Sequence, residues 1–150
     1  MSTLHLRFVR EDEWHGQLIA TVSSKGFAGR VAAWFRTDEL HRFSHECGAY
    51  PLDGAALPYI AGGFFGSAPG ASEPEQLHLG IDVVPHDVRG RLRITVRLAT
   101  EVWGTDESDL GCNVAVRFVV TYGELGPFAS AVSALAEGLV EEALLQEVTE

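Results

Sequence analysis

Long hydrophobic runs are missing from this sequence. None approaches the roughly 20 residues that cross a bilayer as a helix, so a helical membrane anchor is not expected. The first residues, Met1 to Arg7, lack a basic start leading into a long apolar stretch. No secretory leader is therefore expected, and the cytoplasm is the expected place of action. Cysteine is scarce: Cys47 and Cys112 stand alone and far apart, which excludes a disulfide-stapled scaffold and reads as two buried or half-buried free thiols. Basic residues are few, 11 against 21 acidic ones, for a formal net charge of −10. Such a field repels nucleic acid and anionic lipid and speeds encounter with a basic protein, although it also simply keeps a cytosolic protein soluble. The basic residues are scattered among acids, so no groove for nucleic acid is visible.

What is present suffices for one core. The chain has 150 residues, 46% of them hydrophobic, within the size and composition of a single globular domain. No internal repeat and no linker divides residues 1–150. Leu4, Leu6 and Phe8 alternate with His5 and Arg7 in a first strand that ends at Arg10, and the acidic knot Glu11-Asp12-Glu13 turns the chain. Trp14 to Ser23 follows with Leu18, Ala20 and Val22 on one face; Ser24-Lys25-Gly26 turns it into a third strand, Phe27 to Arg36.

The period then changes. Thr37 as cap, Asp38 and Glu39 in the first turn, and Leu40, Phe43 and Cys47 at helical spacing predict a short helix that Gly48 stops. Tyr59 to Phe65 reads as either an edge strand or a loop, and Ser67 to Pro74 as a mobile loop. Three further strands are expected: Gln76 to Val84, Leu92 to Leu98 and Asn113 to Tyr122, each with strict alternation. Gly126-Pro127 marks the start of a closing helix carrying Phe128, Val132, Leu135 and Leu139, with Ala131 and Ala143 widening its stripe. The expected fold class is α+β: one antiparallel sheet of about six strands (meander, helix, meander, C-terminal helix) with both helices on its apolar face. The other face, with His78, Asp82, Arg93, Arg97 and Arg117, is expected to meet water or a partner.

Several groupings bear on chemistry. His41 and His45 share a helix face but depart from the His-Glu-x-x-His pattern, since Glu46 follows the second histidine, so exposed histidines are expected and no metal. His78 with Asp82, and His86 with Asp87, offer the minimum for acid–base work, yet no nucleophile stands in a recognisable elbow. Cross-strand charge pairing explains them equally well. Gly62-Gly63 and Gly66-Ser67 have no lysine after them to make a phosphate loop, and glycine between aromatics more often permits a bulge. Asp106, Glu107 and Asp109, with Glu101 nearby, lack the ordered spacing of a calcium loop. They read as a solvated tip or one that meets a basic protein.

The run Asp87-Val88-Arg89-Gly90-Arg91-Leu92-Arg93-Ile94-Thr95-Val96-Arg97-Leu98 resembles a recurring stretch of small bacterial immunity proteins in polymorphic-toxin systems, of the wall-associated-protein type. Thr121-Tyr122-Gly123-Glu124-Leu125 leading into an apolar helix is similar too, as are Gly26-Phe27-Ala28-Gly29-Arg30 and Thr37-Asp38-Glu39-Leu40. These pieces span most of the chain, while the insert from Ala49 to Pro74 and the acidic loop after Trp103 depart from the family's pattern. The resemblance implies a protein that is not an enzyme, carries no cofactor, and neutralises a cognate toxin domain by binding it. The expected contacts are Glu11, Asp12, Glu13, Asp106, Glu107 and Asp109, against a basic partner. Two other readings stand beside it. One is a small-molecule-binding domain or minor enzyme around His78 and Asp82, and the other is a homodimer formed through an exposed sheet edge.

Overall fold

The computed structural model describes residues 1–65, 73–103 and 108–148. Its elements run β1 (Thr3–Arg10), β2 (His15–Ser24), β3 (Phe27–Arg36), α1 (Thr37–Cys47), β4 (Tyr59–Phe64), β5 (Gln76–Pro85), β6 (Leu92–Ala99), β7 (Asn113–Val120), α2 (Tyr122–Glu137) and β8 (Ala143–Gln146), with a 3-10 turn at Ser108–Leu110 before β7. The α+β class and the two meanders agree with the sequence reading, and β4 takes the edge-strand alternative. The single sheet of about six strands does not: there are two four-stranded antiparallel sheets, ordered β3-β2-β1-β8 and β4-β5-β6-β7.

The inward alternations make one core between them. Leu4, Leu6, Leu18, Ala20, Val22, Ala33 and Phe35 of the first sheet face Leu79, Ile81, Val83, Ile94, Val96 and Phe118 of the second within one buried cluster. Leu40 and Phe43 of α1, with Phe128, Val132 and Leu135 of α2, complete it. The helices pack on each other, and Ser44 ties them by donating its hydroxyl to the Ala129 carbonyl at 2.6 Å. The sheets approach so closely that side chains at Gly29 and Gly62 would strike Leu98 and Phe35 respectively. Past β8, the Val148 amide donates to the Val119 carbonyl at 3.1 Å, linking the outer strands of the two sheets.

The closing segment differs from its sequence reading at both ends. Thr121 accepts from the Gly123 amide, and Glu124 accepts from the Thr121 amide at 2.8 Å, a reciprocal cap that starts α2 five residues ahead of Pro127. Pro127 therefore lies in the second turn and forgoes the bond to the Gly123 carbonyl. Gly138, left-handed at φ 76°, ends the helix, with the Leu139 amide reaching back to the Ala134 carbonyl at 2.9 Å. Leu139 is consequently exposed. Ala143 is buried, but as part of β8, where Ala143 and Leu145 point inward and Leu144 and Gln146 outward against β1. A four-residue strand after a helix is invisible to a helical periodicity that happens to continue through it.

At the start of α1 the cap position is held by Arg36, not Thr37, and the Glu39 carboxylate accepts the Arg36 amide at 2.9 Å. Thr37 instead donates its amide to the Trp14 carbonyl at 2.8 Å, fixing the helix to the β1–β2 turn. Among the described residues no helix is long and apolar enough to cross a membrane.

Both cysteines are free thiols; Cys47 is buried as expected, but Cys112 is exposed, because it lies in the turn before β7 and not in a strand that faces the core. Burial, reinforced by the neighbouring Glu46 charge, pushes the Cys47 thiol far above its usual range. Native protein is expected to take up one equivalent of a thiol reagent, at Cys112. The second is expected only on denaturation; two fast-reacting thiols in the native state would contradict the packing of α1.

Candidate functional site

Four of the six acidic residues expected as contacts, Glu11, Asp12, Glu13 and Asp109, are among the described residues. Glu11, Asp12 and Glu13 occupy the β1–β2 turn and are exposed. The Asp12 carboxylate is engaged within that turn, accepting the Trp14 amide at 2.7 Å, the His15 amide at 3.0 Å and His15 Nδ1 at 2.9 Å. The Trp14 amide bond is the chief reason this carboxyl lies below the ordinary carboxylate range. Asp109 is exposed in the turn before β7, whereas Asp106 and Glu107 lie outside the described residues. Cys112 and Asn113, just beyond Asp109, border Ala28 and Gly29 at the start of β3. That is the far end of the first sheet from the β1–β2 turn. The ten residues of β2 separate the two ends, about 30 Å at the rise of a strand. Among the described residues, Glu11, Asp12 and Glu13 therefore stand well apart from Asp109.

His78 and Asp82 are also divided, and His78 is not on a wet face. The register slips between Gly62 and Gly63, so Gly62 pairs with Leu79 and Gly63 with Leu77, leaving His78 as the extra residue of a bulge. His78 is 2% exposed and its ring meets Phe64 edge-on at 4.5 Å, with the Trp103 ring tilted against that of Phe64 at 4.6 Å. The Gln76 side-chain oxygen accepts from both His78 Nε2 (2.6 Å) and the Val102 amide (2.9 Å). An amide oxygen offers no proton, so His78 carries its own on Nε2. Asp82 instead shares its rung with Tyr59 and Thr95 and faces Arg97 at 3.6 Å. The acid–base pair inferred from spacing is not assembled.

Other singled-out groups are likewise occupied. Asp87 accepts the amides of Arg89 (2.8 Å) and Arg91 (3.3 Å) and pairs with the Arg91 guanidinium, closing the β5–β6 turn. Partial burial raises its carboxyl, but these partners together more than offset that and hold it below the usual range. His41 faces the Ser133 hydroxyl at 3.2 Å, and His45 is exposed.

A cleft of about 620 Å³ opens beside edge strand β4, between Arg36, Asp38, Arg42, Tyr59 and Glu73. Its polar groups bind one another. Arg36 pairs with Asp38 at 3.1 Å, Arg42 donates to the Tyr59 carbonyl at 2.9 Å, and the Tyr59 hydroxyl donates to Glu73 at 2.8 Å. Burial first, then the Glu73 bond, pushes the Tyr59 phenol up to about 12. With its charges already satisfied, the cleft offers little to orient a small ligand.

A surface with unsatisfied chemistry is the outer face of the first sheet, which no other element among the described residues covers. Antiparallel register places Val9, Gln17 and Trp34 in one rung, then Arg7, Ile19 and Ala32, then His5, Thr21 and Arg30, with Leu144 beside His5. Trp34 is 50% exposed, Val9 51% and Leu144 48%. Trp14, at 73%, stands in the turn beyond, and the His15 ring lies 5.5 Å from that of Trp34. The solvent face of such a sheet is ordinarily polar. Here the apolar and aromatic side chains run across three strands. Period-two reading found the inward set of these strands. The signal for the outward set was available in Val9, Ile19, Ala32 and Trp34, apolar residues at positions where alternation calls for polar ones.

No protein-family model, no curated protein and no solved structure matches this chain.

Proposed function

We propose that this domain is a binding protein of the immunity type. It would act in the cytoplasm by docking on a toxin domain and covering its working surface. The outer face of the first sheet carries this reading. Contiguous exposed apolar surface on a soluble domain is costly to keep and marks a site where another protein is received. Trp34 at its centre is the residue type that dominates binding energy in such contacts, with Val9, Ile19, Ala32 and Leu144 around it to exclude water. The resemblance to immunity proteins points in the same direction, toward binding without chemistry.

The acidic termini of the sheet have a different part in this reading. A net charge of −10 acts at long range on a basic partner, raising the encounter rate without needing a place in the final contact. The two contributions separate kinetically. Neutralising Glu11, Glu13, Asp106, Glu107 and Asp109 is expected to slow association and flatten its salt dependence. Trp34→Ala together with Val9→Ser is expected to speed dissociation by about tenfold or more.

The test is rescue by co-expression. A toxin-like domain encoded beside this chain's gene is expressed in a bacterial host with and without the protein. Growth restored by the wild type, and lost with Trp34→Ala/Val9→Ser at unchanged melting temperature, is the expected result. Toxicity untouched by the wild-type chain would remove the immunity reading.

A further inference from the structure

We infer that the outer face of the first sheet receives a partner surface bearing carboxylates set into apolar surroundings; the inference rests on the protein-binding reading and specifies the chemistry of the partner.

Charge is segregated by element in this chain. Strands β1, β2, β3 and β8 contain no aspartate or glutamate, although the sequence has 21 acidic residues against 11 basic ones. The same strands present Arg7, Arg30 and Arg36 outward. Arg36, at the end of β3, is paired with Asp38, and His5 is paired with Glu142 at 2.7 Å. Arg7 and Arg30 are exposed, and among the described residues neither has an ionic or hydrogen-bonding partner. Both guanidinium groups lie on a face whose four strands supply no carboxylate of their own. The outward face of the second sheet differs in holding a carboxylate of its own, Asp82, which faces Arg97, beside the exposed Arg93 and Arg117.

The register fixes their relation. Arg7 on β1 and Arg30 on β3 lie two strands and one rung apart, with Ile19, Ala32 and Thr21 between them. That places their Cα atoms roughly 12 Å apart, from strand spacing and rise. Each guanidinium offers a planar fork of donors suited to a carboxylate, and the apolar centre between them removes water from such pairs and strengthens them. The complementary surface therefore carries two carboxylates about that far apart, flanking an apolar patch.

Two other occupants fit less well. A second copy placed on this face by a two-fold axis would oppose arginine with arginine, and a head-to-tail contact onto an acidic end would not close. A nucleic acid would satisfy the guanidinium groups and stack on Trp34. It would leave Val9, Ile19 and Leu144 without apolar partners.

A synthetic peptide alternating glutamate and tyrosine is the probe, titrated into the full-length protein with tryptophan fluorescence and backbone amide shifts as readouts. A peptide alternating lysine and tyrosine and an oligouridylate serve as comparisons. The expected result is saturable binding of the acidic peptide alone. Shifts should be confined to β1, β2 and β3, and binding should weaken roughly tenfold or more in Arg7→Glu/Arg30→Glu, a variant whose melting temperature should match the wild type. Equal or tighter binding of the lysine peptide or the oligouridylate, concentration-dependent dimerisation abolished by Trp34→Ala, or no saturable binding at all would each overturn it. The two proposals fail separately. Rescue that survives Arg7→Glu/Arg30→Glu removes this inference and leaves immunity standing. Acidic-peptide binding without rescue does the reverse.

Discussion

Gly63→Ala is expected to destabilise the domain by about 3 kcal/mol, the upper end of what overpacking costs. A Cβ at Gly63 would run into the Gln76 carbonyl oxygen and come within 3.0 Å of the His78 amide nitrogen. Both are backbone atoms of the neighbouring strand, which cannot swing aside as a flexible side chain can. The substitution strikes the bulge that turns His78 under Phe64, so β4 should separate from β5 before the rest of the fold loosens. Urea unfolding gives the magnitude, and amide exchange across β4 and β5 gives the location. Gly126→Ala is the control: its Cβ meets nothing within 4 Å inside α2, and it is expected to stabilise by up to about 1 kcal/mol. Because the outer face of the first sheet is untouched, Gly63→Ala protein that remains folded should still protect against a toxin. Wild-type stability in Gly63→Ala would mean that β4 does not pair as described.

Phe43→Ala is expected to cost about 3–5 kcal/mol, the range for removing a buried phenylalanine. Phe43 is 1% exposed and belongs to a core cluster fed by both sheets and both helices. The vacated volume cannot collapse locally, because α1 is held at both ends of its packing. The Thr37 amide is bonded to the Trp14 carbonyl, and the Ser44 hydroxyl to the Ala129 carbonyl. One shared core also predicts one cooperative transition. Tryptophan fluorescence and far-ultraviolet circular dichroism should give coincident denaturation midpoints, in the variant as in the wild type. Midpoints that separate would mean the two sheets unfold independently and the core is divided.

The strands were legible in the sequence wherever one face alone is buried. Leu4, Leu6 and Phe8, or Ile94, Val96 and Leu98, alternate because every second side chain enters the core. Gly62-Gly63 was legible as a bulge, since glycine between aromatics marks a close approach of backbone. β8 was not legible: Ala143 fits the spacing of the preceding helix as readily as that of a strand, and the left-handed turn at Gly138 that ends the helix is one residue long. His78 and Asp82 looked like neighbours on one face because period two was counted straight through a register slip.

The sequence by itself determined the class of the fold, the run of strands and helices up to α2, and the negative field around the molecule. Those follow from local periodicity, capping residues and a sum of charges, none of which depends on distant partners. That the strands divide into two sheets emerges only on folding, because it depends on β8 returning to pair with β1. So do the distance of Asp109 from the Glu11-Asp12-Glu13 turn, the burial of His78, and the sharing of one face by Trp34, Arg7 and Arg30. Register between strands, not position along the chain, sets which side chains meet, and register is fixed by long-range pairing and packing that no local window contains.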